Sequence, residues 1–154
     1  MAQPAVHAAA VAANLAATRM RPMPIPGAGA PEPTNVLERY VHRLATLAGM
    51  VSCCVFDAAS GRDISHAGAS PSATDLGSQG AVLLAAMGTT SRALGFGHAR
   101  PEAAITLGSH HLLLRAVPRH PGLALHAVLD KSHANLALAR LQIARLDGLF
   151  DDAG

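Results

Sequence analysis

The sequence runs to 154 residues, with ten prolines, fourteen glycines and four aromatic side chains, Tyr40, Phe56, Phe96 and Phe150; that length holds one continuous core and is short for two. Twelve lysines and arginines against ten aspartates and glutamates leave a formal charge of +2, too weak to draw in nucleic acid by long-range attraction, and four scattered rings cannot stack many bases. No stretch reaches the roughly eighteen apolar residues of a membrane span.

Residues 1–33 hold six of the ten prolines and are otherwise largely alanine and glycine. Such a segment favours extended polyproline geometry and cannot bury a core, so it reads as a disordered tail or a docking peptide. Met1 to Thr18 lack the basic start of a secretory signal, since Arg19 and Arg21 come after them, which argues against export. A chain beginning at Pro33 is expected to melt within a few degrees of the full one, because the tail buries too little surface to offset its ordering entropy.

The domain proper is expected over 34–150, with a loose terminus at 151–154. Asn35 and Glu38 form a capping-box spacing, and Leu37, Val41, Leu44 and Ala48 recur at helical period until Gly49. The first helix is placed there. Met50 to Phe56 is a run of strand formers, Asp57 to Gly61 suits a tight turn, and Arg62 to Ala67 returns as the partner of a hairpin.

Ser72 and Asp75 repeat the capping logic ahead of a second helix whose Leu76, Gly80, Leu83, Met87, Thr90 and Leu94 fall on one face. Its glycines cost about 1 kcal/mol each relative to alanine. Small residues let another backbone come close, so this helix is expected to pack tightly on a sheet and on a second element. Glu102 to Leu107 and His110 to Val117 read as strands around Gly108-Ser109, and Leu123 to Leu129 follows as a third strand after Pro118 to Gly122. Asp130 or Ser132 can cap a final helix whose stripe is Leu136, Ala139, Ile143, Leu146 and Phe150.

The order is α-β-β-α-β-β-β-α, an α+β sandwich with a five-stranded antiparallel sheet and helices on its faces. That order resembles the roadblock family, the dynein light-chain type that includes bacterial and archaeal regulators of small GTPases. The resemblance extends to local wording over about residues 35–150: Leu44 to Val51 entering the first strand, Asp57 to Arg62 at the hairpin, Leu112-Leu113-Leu114 with Val117 before Leu123 to Asp130, and Ala134 to Arg140 in the last helix. It implies a homodimer in which second helices pair and third strands join two sheets into one, and a role as a platform for a Ras-like GTPase or as an adaptor. The dimer-interface candidates are Leu76, Gly80, Leu83, Met87, Thr90, Leu94 and Ile105.

Catalysis and cofactors are not expected. There is no phosphate-binding G-x-x-x-x-G-K-[ST] motif, and Gly95-Phe96-Gly97 follows a helix rather than a strand. Ser109 with His110 or His111, and Asp130 as orienter, lack the strained elbow of a nucleophile. Arg92, Arg115, Arg119 and Arg140 are read as solvated side chains that an acidic partner could also contact. The nine histidines are read mainly as exposed polar groups; His110 and His126 meeting across strands near His120 is the remaining metal alternative. Cys53 and Cys54 are adjacent, fit no disulfide framework and face opposite sides of a strand, which points to a reducing cytoplasm. Elemental analysis of untagged protein is expected to find less than about one zinc per ten chains, and stoichiometric zinc would overturn that reading. The expected function is therefore a non-catalytic, homodimeric regulator or scaffold for a small GTPase; the alternatives are an adaptor with no GTPase partner and a small-ligand sensor.

Overall fold

The computed structural model describes residues 35–97 and 101–152; the tail at 1–33 and the last two residues of the expected loose terminus lie outside them. Helix α1 (Val36–Leu44) begins where Asn35 Oδ1 accepts the Glu38 amide at 2.9 Å. It stops short of the periodic pattern, and the chain turns through Gly49 at φ +79°. A Cβ there would lie 2.6 Å from the Ala134 Cβ and 2.8 Å from its backbone nitrogen, so both conformation and space demand glycine.

The strands are β1 (Met50–Asp57), β2 (Asp63–Ala67), β3 (Glu102–Leu107), β4 (His110–Val117) and β5 (His120–Asp130). They form one antiparallel sheet in the order β2-β1-β5-β4-β3, with β2 and β3 at its edges. Alternation divides β1 between two cores: Cys53 and Val55 point to one face, Cys54 and Phe56 to the other. The first face carries α1, α3 (Leu136–Leu146) and the single turn α4 (Gly148–Asp151). Its core holds Tyr40, Leu44, Leu125, Leu129, Ile143 and Phe150. The Tyr40 and Phe150 rings meet edge-on at 5.0 Å. The second face carries α2 (Ala73–Ala93) over Cys54, Phe56, Leu114, Ala124 and Val128.

Ser72 caps α2, accepting the Asp75 amide at 3.1 Å. The last helix is capped differently from the sequence reading. Asp130 and Ser132 are occupied with each other, the aspartate accepting the Ser132 amide at 2.9 Å and its hydroxyl at 2.7 Å. These bonds, with His133 beside them, hold the Asp130 carboxyl down at about 2. Asn135 takes the cap instead, accepting the Leu138 amide at 3.0 Å. The apolar stripe also breaks at Asp147, where Arg115 holds the carboxylate at 2.8 Å. Asp151, expected in a loose terminus, closes α4 and accepts Arg119 at 2.9 Å.

Not all histidines are exposed. His126 on β5 is 3 % exposed, and its Nδ1 donates to the Leu76 carbonyl of α2 at 2.9 Å. His111 is also largely buried, 2.8 Å from the Thr106 hydroxyl. Burial pushes the His126 pKa down, against the opposing pull of its bond to Leu76. The folded protein therefore binds fewer protons here than the unfolded chain, whose histidine titrates near about 6.5, and stability falls as pH drops below that value. The denaturant midpoint is expected to decline from pH 7 to pH 5, and to decline less in His126→Gln, which keeps a donor for Leu76 without a titrating ring. Equal slopes in the two proteins would refute this role.

Candidate interaction surface

Helix α2 is 21 residues long, about 30 Å, and its buried residues, Leu76, Gly77 and Gly80, all lie in its first half. Leu76 and Leu94 fall on the same side of the helix, about five turns apart. Leu76 is 3 % exposed, whereas Leu94 is 60 % exposed. The same stripe is thus sealed at one end and open at the other.

The sequence candidates divide accordingly. Leu76 and Gly80 belong to the protomer's own core: a Cβ on Gly80 would lie 2.5 Å from the Phe56 Cζ. They present no free surface. Leu83 and Met87 are half-buried at the margin of that core, and Thr90 and Leu94 are exposed. Ile105 is half-buried on the edge strand β3 opposite Leu112, which packs into the core under α2. Ile105 therefore lies on the α2 side of the sheet. The sequence reading missed Val82, Phe96 and Leu107, which are 62 %, 69 % and 59 % exposed. Leu107 had a signal, its two-residue spacing from Ile105; Phe96 and Val82 had none, lying off the helical stripe.

From Leu76 to Ser91 no side chain carries a charge. Gly88 opens away from the core, where an added Cβ would meet Arg92 Nη1 at 3.5 Å. On the same face of the sheet, β3, whose Ala103 joins the core under α2, pairs with β4 alone, leaving its outer row of backbone groups unpaired within the described sheet. A part-exposed apolar helix face and an open strand edge are both features that soluble proteins ordinarily cover.

The other candidates do not converge. Ser109 Oγ lies 2.9 Å from His110 Nδ1, but the Asp130 carboxylate is engaged by Ser132 and His133. His126 aligns with Leu114 and Cys54, while His110 aligns with Asp130, so the two do not meet across the strands. Among the described residues no three metal-ligating side chains cluster. The thiols are buried, which pushes Cys53 up to about 11 and Cys54 to about 12, far from a reactive thiolate. Arg115, Arg119 and Arg140 are tied to Asp147, Asp151 and Glu102 at 2.8, 2.9 and 3.0 Å. The Arg115 pair is partly buried and helps hold the fold, the Arg119 and Arg140 pairs are half exposed or more and remain solvated surface contacts, and Arg92 bonds Thr89 at 3.5 Å. Hollows of about 70 Å³ beside α3 and about 240 Å³ beside α1 fall short of the ~300 Å³ at which small-molecule sites begin. Among the described residues no helix is long and apolar enough to cross a membrane.

Comparison with solved structures decides the architecture. A roadblock/LC7 domain from Streptomyces avermitilis superposes with a TM-score of 0.63 at 17 % identity, covering 72 % of this chain and 91 % of that one. Myxococcus xanthus MglB gives 0.64 at 24 % identity, covering 78 % and 94 %. The chain has the roadblock fold. An MglB solved in a tetrameric arrangement shares it, with a TM-score of 0.61 at 21 % identity over 75 % and 85 % of the two chains. No family model and no curated protein matches the sequence. In this roadblock fold, the long helix and the edge strand that form the open surface are consecutive elements of the chain, joined through residues 94–101.

Proposed function

We propose that this chain is a non-catalytic interaction module that works as a homodimer and serves as a regulator or scaffold for a small Ras-like GTPase. The observation that carries the reading is the part-exposed second half of α2, free of charge as far as Ser91, on the same face of the sheet as the half-buried Ile105 of β3, whose outer edge is unpaired within the described sheet. A second copy related by a two-fold axis would lay its own α2 on this helix, so that each residue meets its counterpart's neighbourhood. The two β3 strands could then pair and remove both open edges. Leu83, Met87, Thr90, Leu94 and Ile105 remain the interface candidates from the sequence, joined now by Phe96 and Leu107.

The GTPase half of the proposal rests on what the roadblock resemblance implies, and the tetrameric arrangement of one MglB is consistent with self-association in this fold. Affinity capture on the full chain from a lysate supplemented with GDP or with a non-hydrolysable GTP analogue, read by mass spectrometry, tests it. A Ras-like GTPase whose recovery depends on the nucleotide is the expected result. Reproducible partners without a nucleotide site would favour the adaptor reading instead, to which the surface is equally suited.

A further inference from the structure

A second exposed apolar surface lies on the opposite side of the sheet, on α3. Ala139 and Ile143 point from this helix into the core at 3 % and 1 % exposure, whereas Leu138 and Leu141 are 49 % and 50 % exposed. Spacings of three and four residues place Leu138, Leu141 and Arg145 in one outward row over two turns. Glutamine or glutamate at the two leucine positions would preserve helix propensity without exposing hydrocarbon, so helix formation does not account for them.

The charges around this row are unbalanced. Helix α3 reads Leu-Ala-Leu-Ala-Arg-Leu-Gln-Ile-Ala-Arg-Leu and contains no carboxylate. The carboxylates that follow, Asp147 and Asp151, are taken by Arg115 and Arg119, and Arg140 is paired with Glu102. Arg145 is left with no ion-pair partner among the described residues, as are Arg39 and Arg43 on α1, which packs on the same face. Three guanidinium groups with no ion pair among the described residues thus share one helical layer with two exposed leucines, against the one carboxylate of α1, Glu38. This layer is separated by the sheet from α2, so a dimer formed through α2 would leave it open.

We infer that the outer face of the α1–α3 layer docks an acidic, amphipathic segment of a partner protein, its apolar side covering Leu138 and Leu141 and its carboxylates meeting Arg145 and the α1 arginines. Guanidinium groups suit this role because each can hold a carboxylate through two parallel hydrogen bonds.

The test titrates the full ¹⁵N-labelled chain with a helical peptide bearing one leucine face and one glutamate face, and with a matched leucine–lysine peptide. Saturable amide shifts on α3 and α1 are expected with the acidic peptide, and the affinity should drop about tenfold or more in Leu138→Gln/Leu141→Gln and in Arg145→Glu. These exposed substitutions should leave the thermal melt unchanged. The inference is overturned if the lysine peptide binds as well, if the shifts fall on α2 and β3, or if the acidic peptide fails to bind at millimolar concentration. It is equally overturned if Leu138→Gln/Leu141→Gln lowers the oligomeric mass, which would make the occupant a second copy, or if anionic phosphatidylglycerol vesicles displace the peptide, which would assign the face to lipid.

Discussion

Gly77→Ala is expected to lower the stability of the protomer by about 3 kcal/mol or more, and Gly80→Leu to unfold it. A methyl group on Gly77 would strike the carbonyl oxygen of Gly61, a backbone atom in the β1–β2 turn. That turn cannot easily give way: Gly61 sits at φ +78°, its amide bonds to the Asp57 carbonyl at 2.8 Å, and the Asp57 side chain accepts the Ser60 amide at 2.8 Å. At Gly80 the obstacle is the Phe56 ring, which is fully buried, in an interior where close packing resists displacement of a ring. Gly88→Ala is the control on the same helix, where the added carbon meets only the end of Arg92 and helix propensity should raise stability by up to about 1 kcal/mol. Urea denaturation of the three variants measures the series. An unchanged midpoint for Gly77→Ala would mean that α2 does not sit against the hairpin as described.

These glycines show where sequence reasoning stops. The caps at Asn35 and Ser72 were legible because a cap is a contact three residues long. The strands of the β3–β4–β5 meander were legible from their alternation and turns. The phase of α2 was only half legible: Leu76, Gly80, Leu83 and Met87 define a stripe, but the flanks are small or apolar too, so periodicity could not say which side met the sheet. Phe56, more than twenty residues away in sequence, decides it. The exposure of Leu94 depends on which part of α2 other elements cover, which no local pattern encodes. At the break in the last helix Asp147 likewise meets a distant partner, Arg115. His126 looked like an ordinary strand histidine because its acceptor is a backbone carbonyl on another element.

The second large effect is expected at the open end of the same helix. Leu94 and Leu107 are each about 60 % exposed in the protomer, so Leu94→Glu/Leu107→Glu should leave the isolated fold intact while placing two charges in the proposed interface. Burying an unpaired carboxylate costs several kcal/mol, enough to weaken self-association by a factor on the order of a hundred or more. Circular dichroism of the variant should match the unmodified protein, while its sedimentation should shift to a single chain at concentrations where the parent remains associated. A variant that stayed associated would move the contact away from this end of α2 and from β3.

Light scattering on the unmodified full chain at micromolar concentration reads the oligomeric state itself. The expected mass is twice that of one chain, or a higher even multiple if dimers associate further; a mass of one chain would contradict the homodimer and leave the open face of α2 without its proposed partner.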